Sequence, residues 1–207
     1  LVWAFATAGF SAPALFQAFA SEATKKVKKL HLPALGNVAW AFSKMRFEAP
    51  ALFAAIADQV HLKIDSINHG GLAKLAWAFS EAGYAAKHGQ LFVDVSVAAR
   101  KSIHTFDSAD LAMIVFAFAK AGIHSPALFE AVAEEAPRKM KKFKTFTPAN
   151  VADATWAFAT FGIEAPALFE SCAKVVRKKT SAFTPSEMAT TLTAFSAMHH
   201  PAPYQAA

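Results

Sequence analysis

The sequence predicts an all-α protein, a right-handed α-solenoid of about five helix-turn-helix repeats of 37 to 40 residues. Three observations carry this. An aromatic-alanine word recurs as "VWAFATAG", "AWAFSKMR", "AWAFSEAG", "VFAFAKAG" and "TWAFATFG", with its register residue at Trp3, Trp40, Trp77, Phe116 and Trp156 and a sixth copy at Thr193, spaced by 37, 37, 39, 40 and 37. A second word, "APALF" or "SPALF", follows most copies after a short gap. A two-helix unit of this size cannot bury its apolar face alone, so neighbouring units must stack and share one core.

The repeats fall near 1–30, 31–67, 68–106, 107–146 and 147–183, with a partial sixth at 184–207, all within a single repeat domain. Each begins with a first helix, and three of these open on start signals: "FDSAD", "FTPAN" and "FTPSE". There Asp107, Thr147 and Thr184 can accept free N–H groups, and the two prolines suit a first turn. The first helix stops at Gly9, Gly83, Gly122 and Gly162, where a left-handed residue closes a helix without a Cβ penalty. In the second repeat Arg46 takes that place, and its helix end is expected to close less tightly. The second helix starts beside Pro13, Pro50, Pro126 and Pro166, and ends in a basic run that complements the helix dipole. The spacing of 39 comes from "AAKHGQLF", which replaces the usual start; the spacing of 40 comes from extra residues near "KFKTFTPAN".

An angular projection places Leu111, Ile114, Val115 and Phe118, and likewise Val151, Ala154, Phe158 and Phe161, toward the second-helix layer. Small residues such as Ala112, Ala119, Ala152 and Ala157 fall on the flanks, where neighbouring first helices can approach. The remaining side carries the register aromatic with the positions three before and four after it: Asn37 and Lys44, Lys74 and Glu81, Met113 and Lys120, Asp153 and Thr160, with Thr190 in the last copy. These residues differ from repeat to repeat while their surroundings do not. A solenoid can line up one such position per repeat and address one nucleotide with each. A solvated helix face under no constraint would vary in the same way.

Trp40, Trp77 and Trp156 pose that choice for the rings. On an open groove they could stack on bases, worth about 1 to 3 kcal/mol each; packed sideways between first helices they would gain about 1.5 to 3 kcal/mol from burial. Net charge is +6, and the basic residues cluster at Lys25, Lys26, Lys28 and Lys29, at Arg138, Lys139, Lys141 and Lys142, and at Arg177, Lys178 and Lys179. Recurring at the end of each second helix, they would form one edge able to track phosphates, or serve dipole complementation and solubility.

The words "WAFA", "G" and "APALF", in this order, resemble the octotricopeptide-like and FAST-kinase-like repeat proteins of plastids and mitochondria, from Leu1 to about Ala202. The resemblance implies an organelle protein that binds single-stranded RNA in processing, stability or translation of transcripts. The RAP domain that some such proteins carry is not visible. The competing expectation is a protein-binding scaffold, a peripheral subunit of an organelle ribosome or photosynthetic assembly. With about five repeats only a short RNA could be read, and the Ala- and Phe-rich surface suits a protein partner.

Catalysis is not expected. No Gly-rich phosphate loop, H-E-x-x-H or G-x-S-x-G occurs, and neither a cofactor nor a small-molecule substrate is expected. The adjacent His199 and His200 would point about 100° apart on a helix and serve one metal poorly. His88 is expected to be an exposed loop residue, and Cys172 to pack in the core. The longest apolar runs, such as Leu111 to Ala119, fall short of the roughly 18 to 20 residues of a bilayer-spanning helix. The chain opens at Leu1 inside a helical pattern, so its natural N-terminus is expected to lie upstream, and no targeting segment can be read.

Overall fold

The computed structural model describes residues 1–140 and 146–199. Among them are eleven α-helices and no strand: α1 (Val2–Ala8), α2 (Pro13–Lys26), α3 (Leu32–Lys44), α4 (Pro50–Lys63), α5 (His69–Glu81), α6 (Gly89–Lys101), α7 (Ser108–Ala121), α8 (Pro126–Met140), α9 (Pro148–Phe161), α10 (Pro166–Lys179) and α11 (Pro185–Ala197). Odd-numbered helices are the first helices of the repeats and even-numbered ones the second. They gather into two compact units, one from Leu1 to Lys101 and the other beginning at Ser102.

In the first unit α1 packs on α3 and α3 on α5, while α2 packs on α4 and α4 on α6. In the second, α7 packs on α9, α9 on α11, and α8 on α10. Each unit is therefore a short stretch of α-solenoid with a layer of first helices and a layer of second helices. The first-helix layer is the tighter one because small residues line its seams. Ala39, Ala41, Ala76 and Ala78 are wholly buried. A Cβ built on Gly36 would lie 3.4 Å from the Gly71 carbonyl oxygen, so α3 and α5 meet almost backbone to backbone there. Ser43 Oγ lies 2.8 Å from the Ala78 carbonyl and 2.9 Å from that of Ala39, adding a polar contact across the same seam.

The two sequence words meet in the core. The Phe of "WAFA" packs edge-on against the Phe of "PALF" from the preceding repeat: Phe42 on Phe16, Phe79 on Phe53, Phe158 on Phe129 and Phe195 on Phe169. Their ring centroids are 5.1, 4.9, 5.0 and 5.1 Å apart. Such pairs favour edge-to-face geometry because the ring edge is positive and the face negative. Each pair therefore ties the second helix of one repeat to the first helix of the next.

The expected caps form. Asp107 accepts from the Asp110 N–H at 2.8 Å, and Thr147 with Asn150 and Thr184 with Glu187 form reciprocal capping boxes. Asn68, absent from the sequence expectation, caps α5 by accepting from Gly71 N–H at 2.9 Å.

Two expectations are corrected. Arg46 adopts the left-handed conformation, φ 52°, that Gly9, Gly83, Gly122 and Gly162 adopt at 62–73°. Its helix is closed as firmly as theirs, with Phe47 N–H donating to Phe42 O at 2.9 Å against 3.0 Å for Ile123 N–H to Phe118 O. The second helix must fold back onto the first in every repeat, and that demand overrides the side chain. His88 is half-buried rather than an exposed loop residue: the "AAKHGQ" insertion forms a 3-10 turn at Ala86–His88, which lays the imidazole edge-on to Phe79 at 5.5 Å. Cys172 is fully buried, and burial pushes its thiol well above the ordinary range, so it behaves as a packing residue.

Candidate functional site

The register rings lie on the outer side of the first helices, and those inside each unit pair with one another. Trp40 leans on Trp77 with centroids 6.3 Å apart, and Phe116 on Trp156 at 5.2 Å. All four are half-buried, so one part of each ring seals the seam between first helices while the rest meets solvent. Trp3 is 49% exposed. The two uses weighed for these rings are therefore combined in one side chain.

The polar candidates beside them divide. Lys74 Nζ donates to Asn37 Oδ1 at 3.0 Å, joining α3 to α5, so these two satisfy each other. Lys44 and Thr160 are exposed at the ends of their helices, and the Thr160 hydroxyl donates back to the Trp156 carbonyl at 2.8 Å. Lys120 lies with its ammonium 5.8 Å from the Phe116 centroid, within cation–π reach. Asp153 differs from Asn37 and Lys74: its carboxylate forms no hydrogen bond with any described residue. It faces a hollow of about 270 Å³ lined by Phe116, Asp153 and Trp156 together with Ser186, Glu187 and Thr190 of α11. Burial first, and the Glu187 carboxylate second, push the Asp153 carboxyl up to about 6.

Glu187 was not among the sequence candidates. It is the third residue of α11, and one of its oxygens, Oε2, accepts from the Thr184 N–H at 2.8 Å and hydroxyl at 2.9 Å. The sequence reveals that capping role, whereas its approach to Asp153 depends on how α9 and α11 pack. The hollow is thus built by adjacent first helices that place the α9 residues Asp153 and Trp156 opposite the first two turns of α11.

The basic runs mix local pairing with ties between repeats. Lys25 and Lys26 each lie 3.0 Å from the Glu22 carboxylate, and these hydrogen bonds hold that carboxyl below its usual value, Lys25 contributing most. Arg138 pairs with Glu135 at 3.2 Å. Lys139 donates to the His104 carbonyl at 2.8 Å, and Lys179 to the Phe146 carbonyl at 2.8 Å. Each of these lysines thus reaches back to the chain leading into its own repeat. Lys101, at the same place in the third repeat, meets Asp65 at 2.9 Å. Lys28, Lys29, Arg177 and Lys178 are exposed. Lys141, Lys142 and His200 lie outside the described residues.

No group of three or more His, Cys, Asp or Glu among the described residues could hold a metal, and no described helix is long and apolar enough to cross a membrane. No curated protein matches the chain. Helical repeats that carry a ring line and a basic helix end are the setting in which the family finding is read: the family model described as RNA-editing substrate-binding complex 6 protein, RESC6, matches residues 1–202, and the chain belongs to that family.

Proposed function

We propose that this protein is a non-enzymatic, RNA-binding helical-repeat subunit of an RNA-editing complex, holding single-stranded RNA along the outer face of its first helices during transcript processing. The observation that carries the reading is the set of half-exposed register rings within each unit, with a polar residue one turn before Trp40, Trp77 and Trp156, in a family named for an editing-substrate-binding complex. Ring faces accept any base by stacking, and exposed lysines such as Lys28 and Lys29 attract phosphate.

The family's name refers to an editing complex and not to octotricopeptide-like or FAST-kinase-like repeats, so that resemblance enters only as a guide to how RNA would lie. The mitochondrial arm of the organelle expectation is kept within this proposal. The plastid arm, which the family description does not support, is not.

A second reading has its own observation. On the second helices, Leu62, Val93 and Val97 are 71, 53 and 46% exposed, and Val93 and Val97 are one turn apart on α6. Apolar side chains so exposed suit a protein neighbour within a complex.

One experiment addresses both readings: titration of labelled single-stranded RNA across a salt series, with crosslinked peptides identified afterwards. Binding that weakens steeply with salt, with crosslinks on α3, α5, α7 or α9, is the expected result. Absence of RNA binding together with stable copurification of protein partners would replace the first reading with the second.

A further inference from the structure

We infer that the hollow beside Trp156 is a subsite for a single guanine base, which Asp153 reads through its donor edge. This rests on the RNA-binding reading above and deepens it.

The hollow has the parts such a subsite needs. Trp156 and Phe116 supply aromatic surface that is half-exposed, so a planar heterocycle can lie against it. At about 270 Å³ it falls just below the roughly 300 Å³ at which pockets for drug-sized ligands begin, and so suits one heterocycle. Asp153 precedes Trp156 by three residues on the same helix face, and both line the hollow. It is a partly buried acid with no hydrogen-bond donor among the described residues. Its oxygens keep some access to solvent and meet no donor from the described fold, so they remain acceptors that a ligand can satisfy. Glu187, on the opposite wall, already accepts two hydrogen bonds at the start of α11. Its charge repels anionic or acceptor-rich groups and favours a donor-rich edge.

Among the four RNA bases, guanine presents two adjacent donors, N1–H and the 2-amino group, matched to the two oxygens of one carboxylate. Adenine and cytosine offer an amino group beside a bare ring nitrogen, and uracil an N–H between two carbonyls. Each of these would set an acceptor against Asp153. An arginine guanidinium from a protein partner has the same paired donors. However, Lys120, although not part of the hollow's lining, holds its ammonium 5.8 Å from the centroid of Phe116, which is part of it. A cation there suits the phosphate of a bound nucleotide and opposes a second cation.

The test uses the full chain and oligouridine carrying a single central guanine, adenine or inosine; inosine keeps N1–H and lacks the 2-amino group. The guanine oligonucleotide should bind about tenfold more tightly than the adenine one, as expected for one two-point contact to a base edge, with inosine between them. Asp153→Asn keeps the shape of the side chain while turning one oxygen into a donor. It should abolish the guanine preference while the oligonucleotides still bind. Equal binding of all three by the native protein and by D153N would overturn the inference and leave the RNA-binding reading standing. Failure of every oligonucleotide to bind would overturn both. Binding of an arginine-containing peptide that depends on Asp153, with no discrimination among the RNAs, would assign the hollow to a protein side chain instead.

Discussion

Arg46 and Asp153 are two residues whose local chemistry conflicts with the place the fold assigns them. A non-glycine residue in the left-handed region sacrifices about 1 to 2 kcal/mol, and Arg46 sits there at φ 52° because its helix must turn back at that point. Arg46→Gly should therefore raise stability, by about 0.5 to 1 kcal/mol once the greater freedom of glycine in the unfolded chain is set against the relieved strain. A denaturant midpoint that stays level or falls would show that the Arg46 side chain contributes more than its backbone sacrifices. For Asp153 the sign follows from its raised value. With the folded carboxyl at about 6 against an ordinary value near 3.8, the folded protein binds that proton more tightly than the unfolded chain. The resulting stability is fully present below about pH 4 and is lost as pH rises through about 6. Urea unfolding of the native protein between these limits should lose up to about 3 kcal/mol relative to Asp153→Asn. Parallel profiles for the two proteins would mean that the carboxylate is well solvated.

Between helices, the repeating device is the Phe pair that joins each second helix to the following first helix. The sequence words place Phe53 and Phe79, or Phe129 and Phe158, at fixed positions, and the projection of α9 correctly turned Phe158 inward. It could not say which ring would meet which, because the partner lies in another repeat. Phe129→Leu and Phe158→Leu should each destabilise by about 1 to 3 kcal/mol. The double variant should lose less than the sum, by about 0.5 to 1.5 kcal/mol, the coupling expected of an edge-to-face pair. Strict additivity in a double-mutant cycle would reduce the contact to simple burial. The lysines at the ends of α8 and α10 act over a similar range. Lys139 and Lys179 were expected on a phosphate-tracking edge, yet both donate to backbone carbonyls of the chain leading into their own repeat. Their sequence context is indistinguishable from that of a solvated basic run.

Across the chain as a whole, several of the 21 lysines and arginines are committed to internal pairs, at Glu22, Asp65 and Glu135 among others. The salt dependence of RNA binding should therefore be shallower than the number of basic residues suggests. Replacing Lys28 and Lys29 with Gln should reduce the slope of log affinity against log salt by about 0.7 for each phosphate that the protein no longer neutralises. An unchanged slope would remove these two from the interface.

The repeat period, the helix pairs, the glycine stops, three of the caps and the burial of Cys172 were all legible in the chain. They are local or periodic properties, written within a turn or two of the residues that produce them. The register rings were located in the same way, one helix face at a time. Whether they were covered, which polar neighbours were already satisfied, and where an acid was left without a donor depended on the lateral packing of helices about 37 residues apart. Asn37 and Lys74 satisfy each other only because α3 and α5 approach at Gly36 and Gly71. Asp153 meets Glu187 only because α9 and α11 pack side by side. Pairing across repeats is set by distances between helices, and a helical projection contains the angle of a residue but not the identity of what stands opposite it.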